Sequence, residues 1–545
     1  MNNEPERVTE NKSLQDRYDA VVIGAGHNGL VAAGYLAQAG QKVLVLERRP
    51  VVGGAAATEE TLPGIKFNTG SNDAGLFLPE IVSDLRLENY GLKFLESPVV
   101  VFAPQIDDKG LILWRDRQRA AEEIAAFSQT DSQAYLGFLD WIEGVADVLD
   151  GIRKRTPPSM PKYRLEELVP WLQVGLKLRR KGDREMMEFL RALPMPVSEL
   201  LDNWFETPLL KAALGFMGVA GSMQGPYASG TAFMMLYHAI GAGEAGFRSN
   251  RFVQGGSGAL SNALAQAARQ SGAEICTGLE VSQIILEDER AVGVRLENGQ
   301  EIAAKYVISS ADPRTTFFDL VGAPQLPVRL VREVKNIKFR GSTARVNLVM
   351  SDLPRFSSLG HLSSNEDTRA VLSGHLLLCP DLKALEVAYD DAKYGGISRQ
   401  PCLDLIIPTL LDPGLSGKGQ HLMSVDVRYA PYKLADGSWE QGRQKLGARV
   451  VSTIEAYAPG FRDSILHQQV ITPLDYENTY GLAEGSIYQG QMGLDQLLFM
   501  RPMPGCERYR TPVTNLFLCG AGSHPGGGLT GAPGYNAARE VRKTL

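Results

Sequence analysis

A glycine-rich turn near the start of the chain places the strongest constraint on its fold. The stretch YDAVVIGAGHNGLVAAGYLAQAGQKVLVLERR begins at Tyr18, and its first apolar run leads into Gly24, Gly26 and Gly29. This spacing allows a tight turn after a strand, close approach of the backbone to a pyrophosphate, and close packing of a helix on the strand. A helix and a second apolar strand follow, ending in Glu47, a carboxylate that can bind ribose hydroxyls. The segment predicts a βαβ unit that binds a dinucleotide.

The same glycine spacing recurs at Gly241, Gly243 and Gly246, where it has a different context. The residues that follow, FRSNRF, predict neither a helix nor a strand ending in an acid. Glycine spacing alone is a weak signal, so we interpret this second copy as a turn.

The residues after Glu47 indicate which dinucleotide is bound. Arg48 is followed by Gly53 and Gly54, and this pattern continues along the FAD in flavoproteins with two dinucleotide folds. A nicotinamide domain would instead proceed to another helix and strand. We therefore expect non-covalent FAD rather than NAD, although Cys519 near the predicted site leaves a covalent link open.

Two later segments are expected to return to the same cofactor. Val281 begins an apolar run placed to pass the adenine, and the last residues predict a strand, a glycine loop from Gly520 to Gly531, and a helix from Ala532. The amino end of that helix would face the flavin and stabilise the negative charge of its reduced form. The alternative is an ordinary glycine-rich loop before a terminal helix.

Taken together, these motifs resemble a known family, the phytoene desaturase branch of the FAD-dependent amine-oxidase-like superfamily, including desaturase-type β-carotene ketolases. The motifs are GAGHNGLVAA, LERR, GGAA and CGAGSHPGGGLTGAPGYNAA, with NWFE, QGGSGALS, YAPGF and LDQLLFMRPMP in the middle of the chain. The resemblance covers nearly the whole chain. It implies an α/β fold in which a Rossmann-like FAD-binding domain is assembled from discontinuous segments and carries an inserted α+β substrate domain.

This organisation predicts interleaved domains. The FAD-binding domain would comprise 18–90, 250–320 and 505–545, and the substrate domain 91–249 and 321–504, after a polar extension over 1–17. No low-complexity linker separates the two, as expected for interleaved domains.

Composition excludes several other classes of protein. The 56 Lys and Arg residues against 62 Asp and Glu give a formal charge of −6, so we expect no nucleic-acid partner. The five cysteines are scattered without a C-x-x-C pair, which argues against a redox dithiol and suits a reducing, cytoplasmic location. No metal-ligand spacing occurs, and no apolar stretch is long enough to span a membrane.

One segment predicts peripheral contact with a membrane. The run LVPWLQVGLKLRRK, from Leu168 to Lys181, combines Trp and Leu side chains with four basic residues, the composition of an interfacial helix. The alternative is a core-facing helix with a solvated basic end.

Catalytic residues are the least constrained part of the sequence. His524 lies in the glycine loop expected beside the flavin and is the first candidate for a polar group near the reacting atoms; a structural loop histidine is the alternative. Arg501 is the second, with a buried ion pair to Asp495 as its alternative. His238 and Trp204 are candidates to line the pocket, or to belong to the core.

The motifs and the resemblance together predict an FAD-dependent oxidoreductase. It would dehydrogenate or oxidise a lipophilic substrate, such as a carotenoid or other polyene, by hydride transfer to flavin. Two alternatives stay open: a small-amine oxidase, and a flavin-containing regulatory or lipid-binding partner protein. The sequence leaves the oligomeric state open.

Overall fold

The computed structural model describes residues 14–15, 17–106, 109–160, 163–180, 182–360, 362 and 364–545. Most of the predicted polar extension, 1–13 and 16, lies outside the described residues, as does Lys181 at the end of the predicted interfacial helix.

The secondary structure of the described residues alternates between strands and helices. The strands are β1 Arg17–Ile23, β2 Val43–Glu47, β3 Thr58–Leu62, β4 Ile65–Asn68, β5 Phe94–Glu96, β6 Val99–Ala103, β7 Leu111–Trp114, β8 Arg251–Val253, β9 Glu274–Thr277, β10 Val281–Glu287, β11 Arg290–Leu296, β12 Glu301–Ser309, β13 Thr343–Met350, β14 His375–Leu378, β15 Cys402–Ile406, β16 His421–Arg428, β17 Ile465–Ile471 and β18 Leu516–Leu518. The α-helices are α1 His27–Gln38, α2 Pro79–Asp84, α3 Arg117–Ala125, α4 Gln129–Arg153, α5 Leu165–Arg180, α6 Asp183–Ala192, α7 Val197–Asp202, α8 Pro208–Gly215, α9 Thr231–His238, α10 Ser257–Gln270, α11 Val328–Asn336, α12 Asn365–Leu372, α13 Leu382–Lys393, α14 Trp439–Tyr457, α15 Pro473–Tyr480 and α16 Ala532–Arg542.

A first sheet gathers strands from distant parts of the chain. Its order is β10–β11–β12–β1–β2–β9, with β18 beside β12, and the neighbours of β1 run parallel to it. Every residue of β2 is buried, as expected for a parallel strand covered on both faces. Helices α10 and α16 pack against α1. Parallel strands end at one edge of the sheet, where such folds bind dinucleotides.

A second sheet is built from the two inserted stretches. Its order is β17–β13–β16–β15–β14–β6–β7, and its pairs are antiparallel except for β14 with β6. One face carries apolar side chains such as Val346 and Val425, which belong to one large core cluster with residues of α4, α7 and α8. The other face carries polar and charged side chains, which are nevertheless mostly buried. A buried polar face is unusual, and it points to a site rather than to solvent.

Helix α5 does not pack as a core helix. Val174 is its only buried residue, whereas Leu165, Val169, Leu172 and Leu176 are 54–79% exposed. The face with Val174 and Leu178 packs on the core while the opposite face is exposed, so the alternative of a core-facing helix holds for one face only. No helix among the described residues has the length and apolarity needed to span a membrane.

The contact between α1 and α16 gives a test of the fold. A Cβ added at Gly534 would lie 2.1 Å from the backbone oxygen of Asn28. We expect Gly534→Ala to lower the free energy of unfolding by roughly 1–3 kcal/mol, because the helices cannot separate without losing packing. Thermal denaturation measures the change. Gly137→Ala, on an exposed face of α4 with nothing within 4 Å of its Cβ, is the control and should stabilise slightly. Equal melting temperatures for the two variants would contradict the packing.

Candidate active site

The turn after β1 has the geometry that the glycine spacing predicts. Gly24 has φ +90°, and a Cβ on Gly29 would lie 2.1 Å from the backbone oxygen of Gly24. A Cβ on Gly26 would meet no atom within 4 Å, because this residue borders a cavity. The open space at Gly26, at the amino end of α1, is a cradle for a pyrophosphate.

Glu47 lies at the end of β2 on the wall of the same cavity. One carboxylate oxygen, Oε2, accepts a hydrogen bond from the Ala25 amide at 2.8 Å, and Oε1 accepts one from the Arg49 amide at 2.9 Å. These two backbone donors orient the buried carboxylate, whose remaining lone pairs can accept from ribose hydroxyls.

The other predicted residues near this turn also line the cavity. Arg48 reaches the backbone oxygen of Thr479 at 3.3 Å, while Gly53 donates its amide to Ala25 at 2.8 Å. Gly54 has φ +56°, and Val281 opens β10. All four residues border the cavity.

The C-terminal loop contributes to the cavity through other residues than those predicted. Gly520, Gly531 and Ala532 do not line it; Ala521, Gly528 and Leu529 do. A Cβ on Gly531 would lie 2.5 Å from the Ile81 side chain, and this residue caps α16. Here the amino end of α16 is packed rather than open.

A single cavity joins this cradle to the polar face of the second sheet. Near the turn its wall contains Gly24, Gly26 and Glu47, and at the far end it contains Arg345, His375, Asp404, Asp426 and Arg428. Leu76, Met217, Ala220, Ile406 and Ile487 supply apolar parts of the wall. The cradle and the polar face of the second sheet therefore border the same cavity.

Neither predicted catalytic residue borders this cavity. His524 is buried, its Nε2 lies 3.3 Å from the Ile152 backbone oxygen, and burial lowers its pKa to about 4. Arg501 is fully buried and donates to the backbone oxygens of Ala521 and Tyr488, and burial lowers its pKa to about 10. These contacts anchor loops, and the geometry gives no support to a catalytic role for either side chain.

The structure also shows the surroundings of Asp495 and of Trp204. The predicted ion pair between Arg501 and Asp495 does not form, because Asp495 pairs with Lys338 at 3.2 Å. Trp204 belongs to the core and packs against Phe138 with ring centroids 5.3 Å apart.

His238 does line the cavity. Its Nε2 lies 3.0 Å from the hydroxyl of Tyr488, and burial, with the positive charges of Arg248 and Arg428, lowers its pKa to about 3. This histidine is therefore neutral at physiological pH.

The charged end of the cavity is what sequence reasoning missed. Arg248 pairs with Asp404 at 2.5 Å, and Arg345 pairs with Asp426 at 2.7 Å. Burial would raise the pKa of Asp404, but Arg248 and His375 more than offset that effect and lower it. The available signal was the alternation of polar and apolar residues in the strands, as in the sequences TARVNLVM and HLMSVDVR.

Comparison with known proteins identifies the family of this chain. The family model described as flavin containing amine oxidoreductase matches residues 29–351. The chain belongs to this family. It is 37% identical to pyridine nucleotide-disulfide oxidoreductase domain-containing protein 2 of Rattus norvegicus, over 98% of this chain and 95% of that protein.

More distant relatives extend the comparison. A limonene dehydrogenase polypeptide of Castellaniella defragrans is 26% identical over 97% of this chain and 95% of that protein. Phytoene desaturase (lycopene-forming) of Pantoea ananas is 26% identical over 94% and 96%. The structure of wild-type putrescine oxidase bound to putrescine aligns with TM-score 0.60 at 16% identity, over 97% of this chain and 98% of that one.

These findings confirm the predicted family resemblance, the α/β FAD-binding fold and the assignment as an FAD-dependent oxidoreductase. The residues present fit the cofactor: the open turn at Gly26 suits the pyrophosphate, and Glu47 suits the ribose. Non-covalent attachment stays a prediction.

The open turn gives a direct test of cofactor binding. We expect Gly26→Val to lose most of its FAD, because the new side chain would occupy the pyrophosphate path. The flavin absorbance per mole of purified protein measures occupancy, and acid precipitation should release flavin from the wild type. Gly137→Val, at an equally open but distant glycine, should keep full flavin. Full occupancy in a folded Gly26→Val protein would overturn the assignment.

Proposed function

We propose that this oxidoreductase dehydrogenates a largely apolar substrate, such as a terpenoid or polyene, at a carbon–hydrogen bond. The observation that carries the proposal is the single cavity that joins the FAD cradle to a chamber under the second sheet. FAD, when bound, accepts the hydride. The two electrons taken from the substrate then leave through an external acceptor such as oxygen or a quinone.

The chain itself positions the substrate and controls polarity around it. Leu76, Met217, Ile406 and Ile487 provide apolar contacts along the wall. Tyr488 and the neutral His238 form a hydrogen-bonded pair at 3.0 Å, and burial raises the pKa of the tyrosine hydroxyl. Both groups stay uncharged, so this wall can face an apolar chain without a buried, unpaired charge.

Buried cations argue against the small-amine oxidase alternative. Arg428 lies on the cavity wall with its side chain buried, and no carboxylate in the described part of the chain pairs with it. A substrate ammonium group next to Arg428 would be repelled by that charge at low dielectric. The names of two relatives, a limonene dehydrogenase and a phytoene desaturase, also support a hydrocarbon substrate.

Delivery of an apolar substrate requires a route that avoids bulk water. On α5, Leu165, Val169, Leu172 and Leu176 recur at helical spacing and form one exposed stripe, which we call the apolar stripe. On the next helix, Met187 and Leu190 are 60% and 47% exposed. Lys177, Arg179 and Arg180 stand in the last turn of α5. Apolar residues beside basic ones suit an anionic membrane surface, and we propose that this face docks there.

Anaerobic mixing tests the reaction. We expect a terpenoid or polyene hydrocarbon to bleach the visible flavin absorbance, whereas putrescine and cyclohexylamine should not. Bleaching by amines and by no lipid would favour an amine oxidase. Tight lipid binding without any bleaching by a panel of such lipids would favour a lipid-binding partner protein.

Vesicle flotation tests the docking surface. Binding to anionic vesicles should fall by about tenfold or more when Leu172 and Leu176 are both replaced by Gln, because each buried leucine contributes on the order of 1.5–3 kcal/mol. Added salt should weaken binding as well. A double Gln variant of Val328 and Val387, exposed on α11 and α13, is the control and should float like the wild type. Wild-type protein that fails to float at low salt would contradict docking.

A further inference from the structure

The polar face of the second sheet is organised around the end of the cavity. Arg345, Asp426 and Asp404 stand side by side on β13, β16 and β15, and Arg428 follows Asp426 on the same face of β16. His375, on β14, contacts Asp404, and Arg248 reaches the same carboxylate from the stretch before β8. All of these side chains line the cavity.

Four of the charged side chains in this group form two ion pairs. Arg345 donates to Oδ1 of Asp426 through Nε and Nη2, at 2.9 and 2.7 Å. Asp404 accepts from Nη2 of Arg248 through one oxygen, and its other oxygen lies 2.9 Å from Nδ1 of His375. Both oxygens of Asp404 therefore already have partners.

Several donors on the same wall have no partner. Nε and Nη1 of Arg248 and Nε of Arg428 are buried and make no hydrogen bond within the described part of the chain. The one side-chain bond of Arg428 is from Nη1 to the Thr343 hydroxyl at 2.9 Å. Unpaired donors at this depth destabilise the protein unless a bound molecule accepts from them.

The nearest further carboxylate does not satisfy these donors. Asp73 lines the cavity, but its Oδ1 accepts from the Ser249 hydroxyl at 2.6 Å and from the Gly75 amide at 2.7 Å. Its Oδ2 lies 3.9 Å from Nε2 of His375, beyond hydrogen-bond distance. Asp73 is thus held by the amide of Gly75 in its own loop and by Ser249 in the stretch before β8.

We propose that Arg248 and Arg428 bind a carboxylate at one end of the substrate, with the apolar remainder directed along the cavity towards the flavin. This inference rests on the proposed function and narrows its substrate class from a plain hydrocarbon to an acid with a long apolar chain. A carboxylate offers the planar pair of acceptors that guanidinium groups match best. A pure hydrocarbon would leave the same donors buried and unpaired.

The pKa of His238 is consistent with Arg248 and Arg428 lying near the same part of the cavity. Burial and the charges of Arg248 and Arg428 together lower the pKa of this side chain to about 3, so both arginines influence the same part of the cavity. The histidine remains neutral and does not compete for the anion.

Ligand binding to the flavin-loaded protein tests the site without requiring turnover. The probes are a long-chain saturated fatty acid, the alcohol of equal chain length, and acetate, each titrated against the visible flavin spectrum and by calorimetry. We expect the fatty acid to bind at least about tenfold more tightly than the alcohol, because charge-assisted hydrogen bonds contribute that much or more. Acetate should bind much more weakly, because it lacks the apolar chain.

Variants of Arg248 and Arg428 test whether these two side chains bind the carboxylate of the fatty acid. Arg428→Gln and Arg248→Gln should each weaken fatty-acid binding by about tenfold and leave alcohol binding unchanged. Arg428→Lys retains the charge and should recover part of the loss. Arg369→Gln, at an exposed position on α12, is the control and should bind like the wild type. Flavin content verifies that each variant is folded. If Arg428→Gln does not fold, the binding measurements on Arg428→Lys and Arg248→Gln test the proposal.

Three results would overturn the proposal: equal affinity for acid and alcohol, unchanged acid affinity in both Gln variants, or acetate binding as tightly as the fatty acid. The last result would indicate a site for free small anions. Selective fatty-acid binding without flavin reduction by any lipid would support the anion site while rejecting the proposed dehydrogenation, so the two failures are distinguishable.

Discussion

Backbone atoms from four stretches of the chain meet at the turn after β1. Gly53 and Ser310 donate backbone hydrogen bonds to carbonyls around this turn at 2.8 and 2.9 Å, and Gly534 leaves no room for a Cβ beside Asn28. These hydrogen bonds and the tight contact at Gly534 fix the first sheet, α1 and α16 relative to one another. The cavity wall, and with it the placement of the second sheet over the cofactor, depends on that junction.

The cofactor side could be predicted from the sequence because its constraints are local. The three glycines and Glu47 fall within a single βαβ unit, so their spacing along the chain determines their spacing in space. The helix predicted after the turn is α1, His27–Gln38, and the predicted acid does end β2. The C-terminal residues are less local. Gly531 caps α16 and Ala532 begins it as expected, but neither residue lines the cavity, and Gly531 lies against Ile81.

The substrate side could not be predicted, because its residues come together only through the pairing of distant strands. Arg248 and Asp404 are 156 residues apart, and the sequence around each residue does not indicate that the two form an ion pair. Alternation in β13 and β16 predicts a sheet with one polar face, and such a face ordinarily meets solvent. Here the polar face is buried against a cavity by tertiary packing, which the alternation within a strand does not indicate. His524 was predicted from its closeness in sequence to a glycine loop, and its side chain does not line this cavity.

The position of β18 has a consequence for how the protein is made in the cell. This strand pairs with β12, and α16 follows it to pack on α1, so the first sheet and its flanking layer need residues beyond 515. During synthesis the amino-terminal βαβ unit emerges long before those partners exist, with its apolar surfaces uncovered. The packing around the turn that would bind FAD is therefore completed only after the residues of β18 and α16 have been synthesised.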